Sequence, residues 1–100
     1  MNIQDLLMQS IAHRASDLHL SSGRPPMMRV DGDLQRLSDT ALTHDEVHSA
    51  ALSLMDATQQ ARFRDVMECD FSVQLPTGAR FRVNAFQQAR GVSVAFRHIP

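Results

Sequence analysis

Apolar residues recur along this chain with two periods, and the switches between them mark out its elements. Ile3, Leu6, Leu7 and Ile11, joined by Met8, keep helical spacing and predict an amphipathic helix over residues 3–14. Leu18 and Leu20 then alternate with Asp17 and His19, which is the period of a short strand. Ser21-Ser22-Gly23-Arg24-Pro25-Pro26 reads as turn and extended chain, since Pro25 also restricts Arg24. Residues 27–30 and 33–37 flank Asp31-Gly32. Asp-Gly between two such runs predicts a tight hairpin, in which both central residues take positive φ.

Thr43-His44-Asp45-Glu46 has the form of a capping box and opens a helix whose apolar stripe is Val47, Ala51, Leu54 and Met55. Asp56-Ala57-Thr58-Gln59 starts another, with Phe63, Val66 and Met67 on its stripe. Three strands follow. Phe71, Val73 and Leu75 alternate with Ser72 and Gln74, and Pro76-Thr77-Gly78 makes a turn. Phe81, Val83 and Ala85 alternate with Arg80, Arg82 and Asn84. A turn near Ala89-Arg90-Gly91 leads to Val92, Val94 and Phe96, which alternate with Ser93, Ala95 and Arg97. The expected order is α-β-β-β-α-α-β-β-β. It describes an α+β domain with helices packed on the Phe71/Phe81/Phe96 face of an antiparallel sheet.

Composition narrows the function. The chain has 100 residues, 43% hydrophobic and 21% charged, with a net charge of −1. That balance suits one small soluble domain and gives no general bias toward nucleic acid or an anionic membrane. All five aromatics are Phe, so base-stacking platforms are not expected. Cys69 is the single cysteine, which excludes an internal disulfide, and the first residues lack the basic start and apolar run of a signal peptide. A cytoplasmic domain with no membrane insertion is expected. All ten basic residues are Arg. Without a Lys, neither a P-loop nor Schiff-base chemistry can operate within these residues alone.

The candidate chemistry lies on the polar side of the last strands. Arg80 and Arg82, two apart, project together from the face opposite the Phe residues. Arg97 emerges on the polar face of the final strand, and Arg90 sits at the nearby turn. Guanidinium forks suit phosphate oxygens, although the same residues could simply solubilise the sheet or pair with Asp and Glu. His44 and His48 stand four apart, but a zinc-protease helix puts Glu directly after its first His and here Asp45 follows. They read as a solvated helix face. Asp17, two residues before His19, reads as structural or as part of an interface, since no nucleophile or metal ligand stands near them in sequence. Cys69 reads as packed and inert. Six Met and no Trp suggest an adaptable core.

Several segments are specific enough to resemble a family. Ala15-Ser16-Asp17-Leu18-His19-Leu20-Ser21 and Gly23-Arg24-Pro25-Pro26-Met27-Met28-Arg29-Val30-Asp31-Gly32-Asp33 resemble the opening of PilT-type pilus retraction ATPases. So do Cys69-Asp70-Phe71-Ser72, Gly78-Ala79-Arg80-Phe81-Arg82-Val83-Asn84-Ala85-Phe86 and the ending Phe96-Arg97-His98-Ile99-Pro100. The turn Gln87-Gln88-Ala89-Arg90-Gly91-Val92 departs from many relatives, which carry Asn before the Arg. The second retraction-type motor is the nearest rival, and its loop usually lacks the Arg-Val-Asp-Gly form.

The resemblance implies a single PAS-like N-terminal domain over residues 1–100, with the RecA-like ATPase domain that would follow absent from them. It implies a nucleotide-sensing and ring-assembly module of a homohexameric motor driving pilus retraction and twitching motility. ATP and Mg2+ would serve the whole protein and no cofactor the isolated domain, which alone would be inactive. Its partners would be its own RecA-like domain, neighbouring subunits and the inner-membrane pilus platform protein. Arg82 and Arg97 match the family arginines that approach the ATP phosphates, with Arg80 and Arg90 as second choices. A stand-alone PAS-like sensor or interaction domain is the alternative.

Overall fold

Residues 1–100, all described by a computed structural model, follow the expected order of elements. They are α1 (Ile3–Ala12), β1 (Asp17–Ser21), β2 (Met27–Val30), β3 (Asp33–Arg36), α2 (His44–Ser53), α3 (Ala57–Val66), β4 (Glu68–Gln74), β5 (Arg80–Gln88) and β6 (Gly91–Ile99). Local chemistry sets the boundaries. The Asn2 side chain accepts the Asp5 N–H to start α1. Thr43 with Glu46, and Asp56 with Gln59, form reciprocal capping boxes at α2 and α3. In the β2–β3 turn Asp31 has φ 50° and Gly32 φ 85°, the two left-handed residues that the Asp-Gly pair predicts.

The sheet is open, antiparallel and six-stranded, in the order β3-β2-β1-β6-β5-β4. At its centre Asp17, Leu18, His19 and Leu20 of β1 pair with Arg97, Phe96, Ala95 and Val94 of β6. The three helices pack on one face through Leu7, Val47, Ala50, Ala51 and Phe63, against Leu18, Leu20, Phe81, Val83, Val94 and Phe96. Phe81 and Phe96 meet edge to face at 6.5 Å, the arrangement that ring quadrupoles favour. The core under the helices is apolar, and the two buried polar side chains of the chain are Ser10 and, on the other face of the sheet, Ser93. Ser10 donates to the Leu7 carbonyl at 2.7 Å.

The structure corrects several expectations. α1 stops at Ala12 because Arg14 turns left-handed at φ 59°, letting Ala15 N–H reach the Ser10 carbonyl and Arg14 N–H the Ile11 carbonyl. Val66 and Met67, expected on a buried stripe, are exposed. Met67 adopts φ 66° at the end of α3 and swings the chain into β4 before either side chain can reach the core. The adaptable methionine core shrinks to Met28 and Met55, whereas Met1, Met8 and Met67 face solvent. No helix is long and apolar enough to cross a membrane.

Candidate functional site

The face of the sheet opposite the helices carries the charged residues, and two turns fix which side chains it shows. Gly78, at φ 92°, closes the turn after β4, where Gly78 N–H donates to Leu75 and Leu75 N–H to Ala79. That turn sets the phase of β5, burying Phe81, Val83 and Ala85 and turning Arg80, Arg82 and Asn84 outward. Gln88 pairs with Gly91 across the Ala89-Arg90 turn, which places Arg82 directly opposite Arg97. Asp17 is opposite Arg97 on the other side and also pairs with Arg29. One row of the sheet therefore reads Arg29, Asp17, Arg97, Arg82, Ser72 from β2 to β4.

Countercharges hold this row together. Arg82 donates through Nε and Nη2 to the two oxygens of Asp70, at 3.3 and 3.0 Å. Asp70 lies opposite Asn84, so this fork spans a diagonal of the ladder. Asp17 lies 3.6 Å from both Arg29 and Arg97. Its side chain is 16% exposed, against 77% for Arg97 and 68% for Arg82, so the carboxylate sits beneath arginine heads that stand in water. The hydrogen bond from Arg82 holds the Asp70 carboxyl below its ordinary range, and Asp70 in turn raises the Arg82 guanidinium. Exposed pairs of this kind are weak, so an incoming anion can displace a carboxylate at little cost.

Among the expected site residues, Arg82, Arg97 and Arg80 share this face, with Arg80 opposite Ile99 and within reach of no carboxylate. Arg90 does not join them. It stands beyond the far end of β5, a strand that itself spans roughly 26 Å from Arg80 to Gln88 at ~3.3 Å per residue. Two participants escaped the sequence reading as partners of these arginines. Asp70 was quoted only as part of a motif, yet strand register after the Gly78 turn sets it diagonal to Arg82. Asp17, expected in a structural or interface role, braces both Arg97 and Arg29.

The other candidates resolve plainly. His44 is exposed, but His48 is half-buried, stacked at 5.8 Å on His44 and 6.5 Å from Phe63, so it is less solvated than expected. Nowhere do three His, Cys, Asp or Glu side chains come together to hold a metal. Cys69 is buried, and burial pushes its thiol upward against a smaller opposing pull from Arg62, which keeps it protonated and unreactive.

An open antiparallel sheet is thus covered by helices on one side and leaves a bare arginine-bearing face on the other. The chain is an N-terminal domain of the PilT type. It is 49% identical over 100 residues to the type IV pilus retraction ATPase PilT of Pseudomonas aeruginosa, a match spanning 100% of this chain and 29% of that protein. The type IV pilus ATPase PilU of the same organism is 31% identical over 99 residues, spanning 99% of this chain and 26% of that protein. The chain is thus more alike PilT than PilU. A crystal structure of the pilus retraction motor PilT with bound ADP superposes with a TM-score of 0.92 at 30% identity, covering 100% of this chain and 29% of that one. No protein-family model matches. The chain spans less than a third of the length of these relatives.

Proposed function

We propose that the chain is the N-terminal nucleotide-sensing and ring-assembly module of a hexameric cytoplasmic ATPase that powers type IV pilus retraction and twitching motility. The carrying observation is the direct opposition of Arg82 and Arg97 on a sheet face that no helix of this chain covers. Two adjacent guanidiniums offer several N–H donors and a charge that does not titrate away, which suits the oxygens of a transferring phosphoryl group. In this reading ATP draws the face against a RecA-like domain supplying the P-loop, and Arg82 and Arg97 exchange Asp70 and Asp17 for phosphate. Arg80 is placed to assist from the same strand. This chain's residues fit the phosphate end of the ligand only. Mg2+ would arrive with ATP and be held by the other domain.

Hydrolysis and release would let the module swing away, and that motion, repeated round the ring, would be passed to a platform protein at the inner membrane. A stand-alone ligand sensor fits less well, because a ligand inside the fold needs convergent polar groups and the interior here is filled by a 21-residue hydrophobic cluster. Steady-state ATPase rates of the full-length protein provide the test. Arg82→Ala and Arg97→Ala should each lower turnover on the order of 10³-fold, as loss of a charge-stabilising arginine does. Lys at either position should restore only part, because an ammonium lacks the fork. Arg62→Ala, on the helical side, is the control. Rates equal to that control in both arginine variants would remove the phosphate-sensing role.

A further inference from the structure

A hollow of about 520 Å³ in the surface lies well away from the Arg82–Arg97 pair, at the opposite end of β5. It opens between the turn at residues 21–24 and the β5–β6 turn, and its principal lining side chains are Ser21, Ser22, Arg24, Gln88, Arg90 and Ser93. No acidic residue lines it. Neither Arg24 nor Arg90 has a carboxylate within ion-pair distance anywhere in the chain, in contrast to Arg82 and Arg97. We propose that this cleft is a second anion site, separate from the Arg82–Arg97 face, which takes a phosphate-bearing ligand through Arg24 and Arg90.

Both walls are held in place without a ligand. Gly23 N–H donates to the Leu42 carbonyl at 2.7 Å, and Leu42 N–H donates back to the Arg24 carbonyl at 2.8 Å. The Ser22 hydroxyl donates to the Val92 carbonyl at 3.2 Å and so ties that wall to the start of β6. On the other wall Gly91 packs so closely that a Cβ there would stand 2.6 Å from His44 Nδ1 and 2.8 Å from Ser22 Oγ. The backbones carrying the two arginines are therefore fixed relative to each other, while their side chains remain free to close on a ligand. Such preorganisation lowers the ordering cost of binding.

The floor adds hydroxyl groups. Gln88 Nε2 donates to Ser93 Oγ at 2.8 Å, and Ser93 Oγ lies 3.1 Å from Ser21 Oγ. Ser93 is 6% exposed, and within the Ser21–Ser93 pair either hydroxyl can donate to the other. The pair sets two hydroxyls, each able to donate or accept, among the side chains that line the cleft. A carboxylate is satisfied by a single guanidinium fork. Two forks with a hydroxyl donor match the three or more oxygens of a phosphoryl group.

The inference stands independently of the proposed function, because it uses neither Arg82 nor Arg97. Backbone amide spectra of the chain, titrated with inorganic pyrophosphate at constant ionic strength, test it. Ser22, Arg24, Arg90 and Gly91 should shift and saturate, and Arg24→Ala and Arg90→Ala should each weaken binding by about tenfold or more. Arg24→Lys should restore part of the loss, and Arg62→Ala should bind like the parent. Both target arginines are exposed, so these changes leave the core untouched. Co-sedimentation with phosphatidylglycerol vesicles, if dependent on the same two arginines, would assign the phosphate to a lipid headgroup. Response to pyrophosphate alone would assign it to a soluble ligand. Shifts confined to Asn84 and Ala95, or binding indifferent to Arg24 and Arg90, would overturn the proposal.

Discussion

Arg82 and Arg97 are direct partners across the β5–β6 ladder, two cations side by side where sheets usually place unlike charges. Their repulsion is offset from outside the pair, by Asp70 on one flank and Asp17 on the other. Asp70 should report on this arrangement. Its carboxyl is held below the ordinary value of 3.8 in the folded chain, chiefly by the Arg82 hydrogen bond. A depressed folded pKa contributes stability that is present above the unfolded value and is lost as pH falls through the folded one. In carbon-detected titration of the carboxyl, Arg82→Ala should move the Asp70 midpoint upward toward the ordinary value. An unmoved midpoint would mean that the fork is absent in solution.

The hairpin tip offers a stability test. Asp31→Ala combined with Gly32→Val should destabilise the chain by about 1–3 kcal/mol, because both positions hold positive φ and a β-branched residue is strained there. A lowered urea midpoint with an unchanged slope is the expected signature. An unaltered midpoint would contradict the turn.

Gly91 combines strain with a steric conflict. Its φ of 118° disfavours any side chain, and a Cβ would also collide with His44 and Ser22. Gly91→Ala should therefore lower stability by about 1–3 kcal/mol. His44→Ala in the same chain should recover the part of the loss due to His44 and leave the Ser22 contact and the conformational part. A double-mutant cycle showing no coupling between these positions would refute the contact.

Thr43→Ala and Asp56→Ala each remove the cap of a different helix, and each should cost ~1 kcal/mol in thermal or urea unfolding. The two boxes share no residue, so the losses should add. A double variant no less stable than either single variant would show that one helix end is satisfied by other means.

The elements were legible because the sequence carries strong local signals. Asp31-Gly32, the Thr43 and Asp56 boxes and the Pro76-Thr77-Gly78 turn each settle a boundary through chemistry within four residues. Alternation after Gly78 likewise exposed the outward arginines. Pairing across the sheet was not legible, since it depends on strands far apart in the chain. Asp17 reaches Arg97 across 80 positions, and nothing near either residue announces the other. The same limit concealed the cleft of Arg24 and Arg90, whose walls meet only because β1 and β6 are neighbours. Val66 and Met67 fit a helical stripe, but a left-handed residue at the helix end outweighed the period.

The strand order β3-β2-β1-β6-β5-β4 joins two locally built, three-stranded meanders along a single seam. Before that seam forms, each meander presents an unpaired backbone edge, at β1 and at β6, beside the apolar side chains Leu18, Leu20, Val94 and Phe96. Those edges are the ones most able to recruit another molecule and begin aggregation. Once the seam closes, the free edges are β3, exposed along its whole length and carrying Asp33 and Arg36, and β4, carrying Glu68 and Asp70. Charge then guards both margins of the finished sheet, and the vulnerable backbone is sealed at its centre.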